Sequence, residues 1–152
     1  MRSRHHDAEF HLVGWLDSNP AGISHKELDQ WVQSGDIRYH GAVDDVLPYL
    51  QSCQVYVLPS YREGRPRTVM EAMSVGRAVI TTDAPGCRET VRDGENGFLV
   101  PPRDSAALVN AMEKLIRCPE LLNQMGRAGR RLAETEYDVR EVNKKLLKAM
   151  GL

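Results

Sequence analysis

Cysteine is scarce in this chain: Cys53, Cys87 and Cys118 stand far apart among 152 residues. An odd, scattered set makes neither a disulfide framework nor a zinc pattern, and it suits a reducing cytoplasm. Each reads as a small hydrophobe. The histidines, His5, His6, His11, His25 and His40, lack metal-ligand spacing, so no metal site is expected. Long apolar runs are missing as well, and nothing approaches the roughly 20 residues of a membrane-spanning helix. The opening Met-Arg-Ser-Arg-His-His has no apolar stretch behind it and does not read as a signal peptide. Excess charge of either sign is absent too, with 20 basic against 21 acidic side chains. No global field attracts nucleic acid, so an anionic ligand needs a local site. No Gly-x-Gly-x-x-Gly opens a helix, which weakens a dinucleotide oxidoreductase reading.

What is present alternates between strand and helix. Glu9–Gly14, Ile37–Gly41, Gln54–Leu58, Ala78–Thr82 and Phe98–Val100 read as short apolar strands. Ser24 and Glu27 form a capping-box pattern, with Leu28, Trp31 and Val32 on one face and Gly35 as a stop. Asp44 or Asp45 can cap a short helix carrying Val46, Leu47 and Leu50, with Pro48 in its first turn. Thr68–Val75 reads as a helix closed by Gly76. Asp93–Gly97 is a turn cluster. Asp104, Pro119 and Asp138 open three further helices, whose stripes should cover one face of the sheet. This order predicts an α/β fold, a Rossmann-like doubly wound parallel sheet missing its first strand and helix. One domain spans residues 1–152, with a core over 9–117 and carboxyl-terminal helices over 119–150.

The most informative stretch is Pro59-Ser-Tyr-Arg-Glu63-Gly-Arg-Pro-Arg-Thr-Val-Met-Glu71. It leaves the carboxyl end of a strand and enters a helix, where ligands bind in open α/β sheets. Glu71 falls about one turn into the helix, so both carboxylates can face one mouth. A carboxylate accepts hydrogen bonds from paired hydroxyls, and helix amides suit a diphosphate. Gly64 allows close backbone approach, and Pro66 keeps the loop extended. Acidic residues near a helix start are often purely structural, so spacing alone does not decide the matter.

The neighbouring motifs extend the pattern. The Glu-x7-Glu of Glu63 and Glu71 occurs in order with Phe10–Gly14, Ile37–Asp44, Ala78–Glu89 and Asp93–Asp104. The set resembles family 4 retaining glycosyltransferases of the GT-B fold over about residues 9–135. The Tyr-Arg-Glu-Gly-x-Pro-Arg variant is similar to bacterial transferases that build capsules, exopolysaccharides or O-antigens. The resemblance implies a hexosyl- or N-acetylhexosaminyltransferase that uses a nucleotide sugar, a UDP-sugar above all, and needs no cofactor. It implies that Glu63 contacts donor-sugar hydroxyls and Glu71 the ribose. The backbone of Gly64, Arg65 and Pro66 would face sugar and phosphates. Arg67 and Thr68 would stand at the diphosphate, and Gly41 and Val43 at the base. Asp83–Gly86 and Glu89 would pack the far side of the crevice.

The family's basic diphosphate grip and amino-terminal domain have no counterpart here, and Arg2, Arg4, His5 and His6 are not substitutes. The fragment is therefore expected to be inactive alone, its glycan or lipid-linked glycan acceptor bound by the missing domain. Trp15 and Trp31 read as packing residues. Arg127, Arg130, Arg131, Lys144, Lys145 and Lys148 read as a solvated helical face, with a peripheral membrane contact as the alternative. The expected location is the cytoplasm, including the inner face of the cell membrane. Two rival readings stay open: a non-catalytic nucleotide-binding or interaction module, and a sugar-nucleotide epimerase of GT-B architecture.

Overall fold

The computed structural model describes residues 5, 7–16 and 22–151, so Arg2, Arg4 and His6 lie outside it. The chain divides into two compact units, one through Val46 and one from Leu47. In the first, strand β1 (His11–Leu12) pairs in parallel with β2 (Arg38–Tyr39) across helix α1 (His25–Gln33). The capping box starts α1: the Glu27 amide donates to Ser24 Oγ at 3.2 Å and the Ser24 amide to Glu27 Oε2 at 2.9 Å. Gly35, at φ 72°, follows its end as expected. Leu28 is buried, whereas Trp31 and Val32 stay exposed. The strands are shorter than predicted, but backbone bonds extend their pairing. Arg38 N donates to Phe10 O at 2.7 Å and Gly14 N to Gly41 O at 2.8 Å.

The second unit is built on three strands in parallel order, β3 (Val55–Leu58), β4 (Ala78–Thr82) and β5 (Gly97–Val100). The central strand β4 is buried along its whole length, which explains its unbroken β-branched and small-residue run. Ala78 and Ile80, two residues apart and so on one face, join Val100, Ala111, Leu115 and Met125 in the core. Four helices accompany the strands: α2 (Leu47–Ser52), α3 (Arg67–Ser74), α4 (Ser105–Arg117) and α5 (Pro119–Glu136). The start of α2 at Leu47 puts Pro48 in its first turn, where its missing N–H costs no helix bond. Asp104 caps α4 by accepting the Ala107 amide at 2.8 Å, and Pro119 occupies the first turn of α5.

Two expectations change. All strand pairing is parallel as predicted, but among the described residues the five strands form two hydrogen-bonded sheets, of two and three strands, rather than one. The last helix, α6 (Val139–Ala149), packs against α5 without burying a residue, and Val139, Leu146 and Leu147 stand exposed. Its apolar stripe therefore does not cover the sheet.

Candidate functional site

The loop from Pro59 to Pro66 joins the carboxyl end of β3 to α3, and the next strand holds it there. Thr81 Oγ1 donates to Leu58 O at 2.7 Å, and Thr82 Oγ1 bonds Ser60 O. Both threonines are buried, so each hydroxyl satisfies a carbonyl that the parallel ladder has left behind. Farther along, the Glu63 amide donates to Pro85 O at 3.0 Å. Gly86, at φ 85°, lies directly against this loop. A Cβ there would overlap the carbonyl oxygens of Glu63 and Gly64. Gly64 is the opposite case, because a Cβ at that position would meet nothing within 4 Å.

Pro66 is buried and extended, at φ −66° and ψ 110°, and serves as the N-cap of α3 without any side-chain cap. The first amides of α3, from Arg67 and Thr68, therefore keep the donor capacity of a helix start. Glu63 and Glu71 are both half-buried. Neither carboxylate enters an ion pair or a side-chain hydrogen bond among the described residues. Tyr56 on β3, which carried no functional reading in the sequence, lies among these groups. Burial pushes its hydroxyl above the ordinary tyrosine range. A hydrogen bond with the Thr68 side chain opposes that shift, while Glu71 and Glu63 reinforce it. One tyrosine thus senses both glutamates and the helix start, and its alternation inside an apolar strand gave no hint of this.

The surrounding residues sort differently. Asp83 is tied to Arg88, Oδ1 to Nε at 2.8 Å, and Pro85 and Gly86 carry the loop. The Asp83–Gly86 turn is therefore a support for Glu63. Arg62 and Arg67 are exposed and pair with no carboxylate among the described residues. Arg103, in the left-handed region at φ 63°, sets its guanidinium 5.3 Å from the Tyr61 ring at the loop tip. Arg65 sits 5.6 Å over the ring of Tyr137, a residue that sequence reasoning passed over.

Gly41 and Val43 belong to the first unit, just beyond β2. Gly41 takes φ 69° and accepts from Gly14, itself at φ 137°, so two glycine turns are bonded together where the strands end. Trp15 beside them is 81% exposed and does not pack as expected. His11 Nδ1 and His40 Nε2 meet at 3.0 Å with stacked rings. No group of three or more metal-ligating side chains forms among the described residues. A groove of about 600 Å³ between α5 and α6 is lined by charged groups, including Arg130, Glu134, Asp138, Arg140 and Lys144. These pair with one another or with Glu141, which leaves the groove without an unmatched group to hold a ligand. No helix of the described residues is long and apolar enough to cross a membrane.

Comparison with known proteins agrees with this architecture. Anabaena HepE, solved with UDP, matches 94% of this chain and 40% of its own at 25% identity, with a TM-score of 0.84. The C-terminal domain of LpcC from Francisella tularensis, a glycosyl transferase group 1 family protein, is 30% identical. That match covers 75% of this chain and 62% of that one, with a TM-score of 0.68. These likenesses make the fold the Rossmann-like half of a GT-B architecture. In Campylobacter jejuni, N,N'-diacetylbacillosaminyl-diphospho-undecaprenol alpha-1,3-N-acetylgalactosaminyltransferase is 35% identical over 114 residues, which are 75% of this chain and 29% of that protein. The chain spans about three-tenths of the length of such curated relatives. Residues 1–118 match the family of glycosyl transferases group 1, and with that span, in this fold, the chain belongs to that family.

Proposed function

We propose that this chain is the donor-binding part of a retaining glycosyltransferase that takes a sugar from a UDP donor and adds it to a surface glycan. One observation carries the reading: Glu63 and Glu71, half-buried and without partners among the described residues, flank an uncapped helix start at the carboxyl edge of a parallel sheet. Glu63 accepts hydrogen bonds from donor-sugar hydroxyls, and Glu71 accepts them from the ribose. The open face of Gly64 admits the donor against the backbone. The amides of Arg67 and Thr68 face the diphosphate, with the Arg67 guanidinium nearby. As the glycosidic bond breaks, charge grows on the leaving diphosphate, and fixed amides and guanidinium groups stabilise it most at that moment.

HepE, a structural neighbour, was solved with UDP, which supports the choice of nucleotide. The C. jejuni relative's name describes a lipid-diphosphate-linked acceptor. That kinship supports a comparable acceptor for the parent of this chain. Transfer requires acceptor and donor to be held together, so the isolated chain binds donor without transferring sugar. Calorimetry with UDP tests the site. Glu71→Ala should lose about 1.5–3 kcal/mol of UDP binding, typical of a hydrogen bond to a charged group, while thermal stability stays close to wild type. Equal UDP affinity in the two proteins would remove Glu71 from the site.

A further inference from the structure

The loop that carries Glu63 is tied at two places to one neighbouring segment. Its first tie is the Glu63 amide on Pro85 O, at 3.0 Å. Its second runs through Arg65. The Arg65 guanidinium lies 5.6 Å from the centre of the Tyr137 ring, and the Tyr137 hydroxyl donates to Glu89 O at 3.1 Å. Pro85 and Glu89 bracket Gly86, whose backbone presses on Glu63 and Gly64. The ties therefore close a circuit from the loop through Tyr137 to Glu89 and back through Pro85 and Gly86 to the loop.

Tyr137 is suited to this role by its position. It is the C-cap of α5, with its amide bonded to Ala133 O at 3.1 Å, so the ring is fixed at its backbone end and at its hydroxyl. Arg65 is exposed and has no carboxylate partner among the described residues. Its cationic plane is therefore free to settle on an aromatic face, an attraction that holds even at exposed sites. Burial raises the Tyr137 hydroxyl above its ordinary range and Glu136 adds to the shift, while Arg65 and Arg92 oppose it.

We propose that Tyr137 is a positioning residue for the donor loop, stapling the Arg65 side chain so that the Gly64–Arg65–Pro66 backbone is held ready for the diphosphate and sugar. Arg65 then serves the ligand through its backbone, and its side chain serves the loop. This rests on the donor-site reading above, but the staple itself is a property of the protein without ligand.

Two measurements on the chain separate the two ideas. Hydrogen exchange across residues 60–67 reports the staple directly. Arg65→Ala and Tyr137→Leu should each speed exchange at the Glu63 amide, which is bonded to Pro85 O. Arg65→Phe should restore protection, because an aromatic pair can replace the cation on the ring. Titration with UDP and with uridine then reports the consequence. Arg65→Ala and Tyr137→Leu should each weaken UDP about two- to fivefold, the range of an exposed cation–π contact, with uridine unchanged. The double variant should be no weaker than either single one. Unchanged exchange in Arg65→Ala would overturn the staple. So would additive losses, or an Arg65→Phe variant as weak as Arg65→Ala, which would mean that the charge itself holds the diphosphate. A wild-type chain that fails to bind UDP refutes the donor-site reading alone, and the exchange data still judge the staple. Arg65 is a surface side chain, so its variants test the idea without risk to the fold.

Discussion

Alanine at Gly86 and alanine at Gly64 should have opposite effects, although the residues touch in space. At Gly86 the backbone is left-handed, at φ 85°, and a Cβ would overlap the carbonyl oxygens of Glu63 and Gly64. Those are main-chain atoms, so the whole loop must shift. The left-handed conformation costs an L-residue roughly 1–2 kcal/mol. Displacing the Glu63 amide from Pro85 O removes a hydrogen bond of about 1 kcal/mol. The sum is about 2–3 kcal/mol, and for a chain of this length each kcal/mol moves the melting temperature by roughly 2–4 °C. Gly86→Ala should therefore melt about 5–10 °C lower and lose affinity for UDP-glucose. Gly64 has an ordinary backbone and open space around its missing Cβ. Alanine there should hold or raise the stability, by up to about 1 kcal/mol through reduced unfolded-state entropy, and with it the melting temperature. It should nevertheless obstruct a donor lying against the loop. Thermal unfolding followed by circular dichroism, with calorimetry on UDP-glucose, checks both variants. Equal melting temperatures for the two would refute the packing argument. Wild-type donor affinity in Gly64→Ala would show that its open face is not a ligand wall.

In the full-length parent, Glu63→Gln should cut turnover severely with little change in UDP affinity, because charge-assisted bonds to sugar hydroxyls strengthen toward the transition state. Steady-state kinetics with near-normal turnover would show that this loop does not face the reacting sugar. Asp138 is held down to about 2 from its ordinary 3.8 by hydrogen bonds from the Arg140 side chain and amide. A depressed folded value means that its contribution to α6 is present above about pH 4 and is lost as pH falls toward 2. Amide exchange along α6 should rise through that window, and Asp138→Asn, which still caps but does not titrate, should abolish the pH step. An identical step in both proteins would assign it elsewhere.

The features legible in the sequence were the ones encoded within a few residues. Ser24 and Glu27 cap α1, and Asp104 caps α4, because a side chain reaches an amide three residues on. The apolar run at Ala78–Thr82 announced a strand buried on both faces. The Glu63 and Glu71 spacing put both carboxylates near one helix start because a loop and one helical turn connect them covalently. Features that depend on distant segments meeting were not legible. Tyr137 reaches Arg65 and Glu89, and Gly86 reaches Gly64, only when the α5 terminus and the post-β4 turn close on the loop. The ion pair of Asp83 with Arg88 likewise forms only once the turn after β4 is folded. Trp15 and the α6 stripe read as core by their apolar character, yet hydrophobicity is a property of the residue and burial a property of what covers it. Local hydrogen-bond geometry repeats wherever the motif occurs, whereas a contact between remote segments exists only in the tertiary arrangement that brings both to one place.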